Sequence, residues 1–514
     1  KTGMLFYANY GAKSAHNEVN TIGVGSLIGV LLLILITFRS LKPLFFTVFS
    51  IFCGFLAAFV ATYLLFGGIF IFTLVFGASL IGISVDYGFH VLVLRQQTQE
   101  TAQHIRAKVF LPLTIALAST ITGYSLFFTT PINLLHQVVV FVGFGLLGAY
   151  LSALLLLPNI RFTSKGTSFA VLPKQHFSYL VVAVIIFVIS ISTLNFDDNI
   201  SHLNTKASHL IQEEQKVARL TGENIYPYMV LISGDNQERL LQETQLLTKT
   251  LRSQGGVLKS ITDWQLPKDE QQKNIDLVKA NWHSKSYQDI EQYLEDNAIA
   301  IALSKAQPLT SLPKYIAQNM GVDMKIVADR YWTALLLNAP LTDAQKITVI
   351  QSSNASLVNL PRALSNQLGE VRESVLKIAL PALLIILGIL SLYFGFTSAL
   401  IMLLIPTISA GLALVFSQFF QTSLNIFNVL ACLLIVTLAI DYVVLFRAHG
   451  ASKLISHTIT LSALSSALTF GIMSFSATPA VSSFGLTLLI GITLAWLLSH
   501  LTPLTYKKLK NGSN

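Results

Sequence analysis

Eleven stretches of roughly twenty mostly apolar residues divide this chain, and no other feature restricts its fold so strongly. A helix that crosses a bilayer needs about 20 such residues, because each backbone amide and carbonyl must be satisfied inside the segment. The runs lie at 21–38, 44–65, 69–94, 109–128, 137–157, 177–194, 374–393, 398–418, 424–446, 454–475 and 482–503. Apolar residues make up 53% of the 514, charged residues 11%, and mean hydropathy is +0.63. That balance describes a polytopic α-helical membrane protein and excludes an ordinary soluble enzyme.

Short-loop charge sets the orientation. One set of loops carries Arg39, Lys42, Arg95, Arg106, Lys108, Arg161, Lys165, Lys174, Arg447, Lys453, Lys507, Lys508 and Lys510. The alternate loops, 66–68, 129–136, 419–423 and 476–481, carry no lysine or arginine. The basic set therefore belongs in the cytoplasm and the 195–373 region outside it. The net charge of +9 follows from this topology and does not point to nucleic acid. Cys53 and Cys432 both fall in apolar runs and read as small core residues, with no disulfide framework or metal site.

The spans repeat. Spans one to five match spans seven to eleven in direction, and ITGYSLFFTTP (121–131) echoes TFGIMSFSATP (469–479). Both copies run the same way, as in transporters built from parallel halves. Residues 1–20 are too polar to span and read as the tail of an earlier extracytoplasmic domain. Five spans occupy 21–158, a cytoplasmic loop 159–176 and a sixth span 177–194. An extracytoplasmic domain fills 195–373, five more spans fill 374–503, and 504–514 is a cytoplasmic tail. Span six has no counterpart in the first half, and the chain starts without methionine or signal peptide, so the expected whole is a twelve-span protein.

The 195–373 region reads as mixed α/β. Strands are expected at YPYMVLISG (226–234), GGVLKSITDW (255–264), RYWTALLLN (330–338) and KITVIQS (346–352). Helices are expected over 236–254, 268–306 and about 355–373. With 21 acidic and 18 basic residues it is nearly neutral, and it shows no Ser/His/Asp set, no HExxH and no phosphate-binding glycine loop. Neither an enzyme, a cofactor nor a metal is expected.

Only four acidic residues lie outside 195–373, and two of them, Asp86 and Asp441, sit inside apolar runs. Each is followed by a tyrosine, in GISVDYG (82–88) and LAIDYVV (438–444). An aspartate at mid-span costs about 2.5–3.5 kcal/mol on insertion scales, so a matched pair points to proton-driven transport. Helix rise sets both acids about 8–12 Å from the cytoplasmic edge. A pseudo-twofold axis along the membrane normal would let Asp86 accept a hydrogen bond from Tyr442, and Asp441 one from Tyr87. His90 lies one turn beyond Asp86 and is a candidate support for the relay, although Leu445 holds its place in the second copy. Ser119, Thr122, Ser465, Ser466 and Thr469 are further candidates, with ordinary helix contacts as the plainer account. The plain alternative for the acids is that they pin helices together.

These residues resemble a known family. The duplicated Asp-Tyr, the external domain between spans six and seven and the five-plus-five repeat are similar to the RND superfamily of proton-driven exporters. The fit is nearest its MMPL branch, which TIGVGSLIGVLLLILITFRSLKPL (21–44) also resembles. The resemblance implies a proton relay through Asp86, Tyr87, Asp441 and Tyr442. It also implies a ferredoxin-like porter domain at 195–373, in the periplasm, and export of a lipid or other hydrophobic molecule from a bacterial inner membrane. The partners implied are protons, membrane lipids and the hydrophobic substrate, with a homo-oligomer left open. Two other readings stand: a proton-powered accessory of protein secretion, and a lipid-sensing scaffold that transports nothing.

Overall fold

The computed structural model describes residues 4–502 apart from 71–72, 75–76, 78, 99, 131, 163–177, 204–207, 222–227, 257, 282–305, 310–323, 338–340, 353, 422 and 451. It divides into two units, residues 4–207 with 365–514, and 208–364 with the first three residues.

In the first half of the larger unit, α1 (Met4–Glu18) runs through one π-helical turn (Val19–Val24) into α2 (Gly25–Phe38). Residues 1–20, expected as the tail of an earlier domain, are helical from Met4. A helix supplies its own backbone hydrogen bonds, so polar side chains at its outer end do not stop it. Arg39 caps α2 in the left-handed region (φ 46°), turning the chain tightly into α3 (Leu41–Phe66). Next come α4 (Ser79–Gln97), α5 (Ala102–Ser125), α6 (Asn133–Leu156) and α7 (Ser178–Ser190).

The smaller unit holds α8 (Ser208–Thr221), β1 (Tyr228–Gly234), α9 (Gln237–Ser253), β2 (Leu258–Lys259), α10 (Lys268–Asn281), β3 (Lys325–Val327), β4 (Arg330–Leu337), α11 (Asp343–Gln351) and β5 (Ala355–Asn359). The sheet order is β2-β4-β1-β5, with β3 also on β4, and every pairing is antiparallel. Hence β1 and β2 run parallel with β4 between them, and β4 and β5 run parallel with β1 between them. These are two split β-α-β crossings carried by α9 and α11. Val230, Ile232, Leu240, Leu251, Leu335 and Val349 form the core under the helices.

Two sequence expectations fail in this unit. KITVIQS is helical, because Thr342 and Gln345 form a capping box that outweighs the β-branched run. The strand follows at β5, where a helix is expected. Ser260 and Asp263 make a second capping box, which cuts the strand expected over 255–264 to two residues. Of the helix expected over 268–306, residues 282–305 lie outside the described part.

The second half comprises α12 (Leu360–Phe394), α13 (Phe396–Phe420), α14 (Ile426–His449), α15 (Lys453–Ser474) and α16 (Pro479–Ser499). Among the described residues nine helices are long and apolar enough to cross a membrane. The expected spans at 69–94 and 177–194 are not among them. Residues 71–72, 75–76, 78 and 177 of those runs lie outside the described part, which leaves α4 from Ser79 and the short apolar helix Ser178–Thr193. The chain is nonetheless a multi-pass membrane protein by its helices.

The repeat is visible in helix packing. α3 lies on α6 as α13 lies on α16, and α4 on α6 as α14 on α16. Between the halves the partners are exchanged: α4 packs on α15, and α14 on α5.

Candidate functional site

α4 and α14 carry the two acids and form the interior of the bundle. Residues 82–94 of α4 and 434–446 of α14 are all buried. A helix buried on every side needs no polar stripe, which is why neither sequence shows one.

Each acid stands one turn from a close crossing of the two halves. A Cβ added at Gly82, four residues before Asp86, would lie 2.8 Å from Thr469 Oγ1 on α15. The mirror contact is Thr437, four residues before Asp441. A Cβ on Gly123 of α5 would come within 2.0 Å of its Cγ2. Both crossings therefore require one partner without a side chain.

One turn along α15 from Thr469, Ser465 Oγ donates to Asp86 Oδ1 at 2.8 Å, and Ser466 Oγ reaches Oδ2 at 3.5 Å. One turn along α5 from Gly123 lie Ser119 and Thr120. Ser119 Oγ spends its hydrogen on the Ala116 carbonyl of its own helix, at 2.9 Å. Thr120 Oγ1 and Asp441 Oδ1 are both buried without a hydrogen-bond partner. A hydroxyl thus lies one turn from each crossing, and Asp86 is bonded to one while Asp441 Oδ1 is bonded to none.

The tyrosines depart from expectation. Tyr87 and Tyr442 are 1% and 2% exposed, and neither hydroxyl bonds to an aspartate, so the crossed pairs Asp86–Tyr442 and Asp441–Tyr87 are not formed. Adjacent residues point about 100° apart on a helix, so Tyr87 turns from the crossing into its own half. There its ring meets Tyr150 of α6 edge-on, with centroids 5.9 Å apart. Each tyrosine still lies within electrostatic reach of both carboxylates, as the two acids do of each other. Neither acid is paired with a lysine or arginine.

Of the remaining candidates, Thr469 bonds the Ser465 carbonyl at 3.1 Å, and Thr122 bonds that of Ala118 at 2.8 Å from a half-buried position. Thr122 therefore takes no visible part. His90 is buried, with Nδ1 unpartnered. Sequence reasoning passed over Thr120 and His449, although His449 stands two turns beyond Asp441 as His90 stands one beyond Asp86.

Two acids near the helix ends opposite those histidines also went unnoticed. Glu18 Oε1 accepts from Ser476 Oγ and from the Thr478 amide, each at 2.8 Å, and so caps α16. Asp198 Oδ1 accepts from the Ile426 amide at 2.8 Å, which ties down the first turn of α14. Its Oδ2 pairs with Arg372 of α12 at 2.8 Å, and Arg372 also covers the Phe196 ring at 4.7 Å. Among the described residues no group of three or more His, Cys, Asp or Glu side chains is placed to hold a metal ion.

No family model and no curated protein matches the chain. Solved structures do. SecDF, a translocon-associated membrane protein from Thermus thermophilus, superposes with a TM-score of 0.54 at 12% identity, over 98% of this chain and 63% of that one. A heavy metal efflux pump gives 0.58 at 11% identity, over 97% and 67%. The hedgehog release protein Disp from the water bear Hypsibius dujardini gives 0.54 at 13% identity, over 95% and 70%. The chain shares its fold with these three membrane proteins. At such identities the likeness is one of fold, and this chain spans about two thirds of each relative's length, 63–70%.

Proposed function

We propose that this chain belongs to a proton-motive-force-driven exporter that moves a lipid or other hydrophobic molecule across or out of a bacterial inner membrane, within the MMPL branch of the RND superfamily. The observation that carries this reading is the housing of Asp86 and Asp441. They are buried at equivalent places in two parallel repeats, beside the crossings of the halves, with the Ser465 and Ser466 hydroxyls on Asp86 and no hydrogen-bond partner on Asp441 Oδ1 among the described residues. A lone carboxylate in low dielectric is expensive to charge, so its protonation and its surroundings must change together. A unit charge moving through 100 mV releases about 2.3 kcal/mol, enough to bias such a rearrangement.

In this mechanism a proton taken up from outside binds Asp441, whose unpaired oxygen is the free acceptor. Loss of that proton obliges the carboxylate to find donors. Ser119 and Thr120 lie one turn from the crossing of α5 with α14, and their hydroxyls turn to serve the carboxylate. The outer end of α14 moves with it, and Asp198 links that end to Arg372 on α12. α12 begins at the last strand of the smaller unit, which gives the motion a covalent route into the porter-type domain. Its two split crossings suit a ferredoxin-like porter, and loop charge puts it in the periplasm. The chain is not an enzyme and binds no nucleic acid in this reading.

The likeness to SecDF supports a second reading, a proton-powered accessory of protein secretion. Crosslinking from residues 195–373 to unfolded polypeptide rather than to lipid would favour it. The main reading is tested with the protein in proteoliposomes that hold a pH dye and a phospholipid bearing a fluorescent acyl chain. An acid-outside gradient should drive both proton and lipid movement, and Asp86→Asn with Asp441→Asn should abolish the coupling. Unchanged rates in that double variant would defeat it.

A further inference from the structure

Below the acids, toward the basic loops, a cleft opens between α4, α5, α14 and α15. It occupies about 290 Å³ counting its open mouth, and His90, Leu94, Pro112, Leu445, His449 and Thr458 are among its lining residues. Its walls are mostly apolar, so the two imidazoles are its conspicuous chemistry. His90 stands four residues beyond Asp86 on α4, and His449 eight beyond Asp441 on α14, so each ring lies on the helix of one acid, one or two turns nearer the cytoplasm. His90 Nδ1 is buried and without a hydrogen-bond partner, and the two rings lie within electrostatic reach of each other. Pro112, in the middle of α5, has no amide hydrogen for the Lys108 carbonyl one turn earlier. His449 sets its ring against that same backbone. Apolar packing alone does not account for the free nitrogen of His90, since leaving a buried polar atom unpaired is costly, whereas His449 has the Lys108 and Leu445 backbone as hydrogen-bond partners. Inside that mouth the cleft is narrow, with about 10 Å³ open to water, room for about one molecule.

We propose, resting on the proton-driven reading above, that this cleft is the cytoplasmic proton exit of the transporter, with His90 and His449 as its relay residues. A proton leaving Asp86 or Asp441 binds the free Nδ1 of His90, directly or through water. The imidazolium then gives a proton to His449 or to cleft water, and His449 gives it to the cytoplasm, so both rings return to neutral. The other titratable or cationic groups on the lining helices are Asp86, Tyr87 and Arg95 on α4, His104, Arg106, Lys108 and Tyr124 on α5, Cys432, Asp441, Tyr442 and Arg447 on α14, and Lys453 and His457 on α15. Lys108 is the one held beside His449.

The test uses proteoliposomes with the cytoplasmic face inward and a trapped pH dye. His90→Gln combined with His449→Gln should slow proton arrival by about tenfold or more, as loss of a proton-transfer group does. Free imidazole in the lumen should restore it, which no packing role would produce. Wild-type flux in this double variant, with flux lost in Asp86→Asn, overturns the exit and leaves the proposed function standing. Flux that survives in both sets of variants overturns both. A measurement on the unaltered protein needs no variant to fold. Diethyl pyrocarbonate applied to the cytoplasmic face should modify His90 and His449 but not when applied to the outer face. Failure to modify either from the cytoplasmic face also overturns the proposal.

Discussion

Ser465 and Ser466 offer Asp86 two hydroxyl donors at 2.8 and 3.5 Å, while Asp441 Oδ1 has none. If the 2.8 Å bond holds Asp86, Ser465→Ala leaves a buried acceptor short of a donor and should cost about 1–3 kcal/mol. Thermal unfolding in detergent measures this, and a change within about 0.5 kcal/mol of wild type would deny the bond any weight. Arg372→Ala strands Asp198 in a buried site and should cost about 3–5 kcal/mol by the same assay. Burial pushes the Asp198 carboxyl above the usual carboxylate range, with Arg372 and the Ile426 amide pulling it back. A raised acid keeps its proton in the folded state where the unfolded chain has lost it. The stability it contributes is therefore full below the ordinary carboxylate value and declines as pH rises through the raised one. Unfolding followed through that window should show the decline in wild type and not in Asp198→Asn. At this scale the acids were legible, because an aspartate in an apolar run has few ordinary explanations. The tyrosine contacts were not, since a ring's direction depends on which neighbour flanks the helix, and Tyr150 took Tyr87.

Helices cross where one of them lacks a side chain, and Gly123 against Thr437 is the tightest instance beside the site. Gly123→Ala forces a methyl to within 2.0 Å of Thr437 Cγ2 and should destabilise by about 1–3 kcal/mol through overpacking. Thr437→Ser removes that Cγ2 and should recover most of the loss, so the double variant should unfold near wild type. If the two changes simply add, the crossing is not where the strain lies. Element type was readable from hydrophobic period in the long helices and less so in the smaller unit. KITVIQS alternates like a strand, yet the Thr342–Gln345 box starts a helix there. A cap of two residues decided against seven. The helical run of α1 into α2 was missed for a related reason, because polar side chains exclude a lipid-facing span but not a helix.

Two copies of one five-helix pattern are packed so that each acid-bearing helix lies on the fourth helix of the other copy. The repeat could be read from direction, charge and Asp-Tyr alone. Which helix meets which across the halves could not, because sequence period reports a face without naming its partner. The claim on which the whole account rests is that both acids bind and release protons as a gradient is applied. Dicyclohexylcarbodiimide reacts with protonated carboxyls in apolar surroundings, so peptide mass spectrometry after labelling reads each acid separately. Asp86 and Asp441 should both label, Asp441 the more readily, and an imposed pH gradient should change the yield at both. Labelling absent at both acids, or unaltered by pH and gradient, would contradict it.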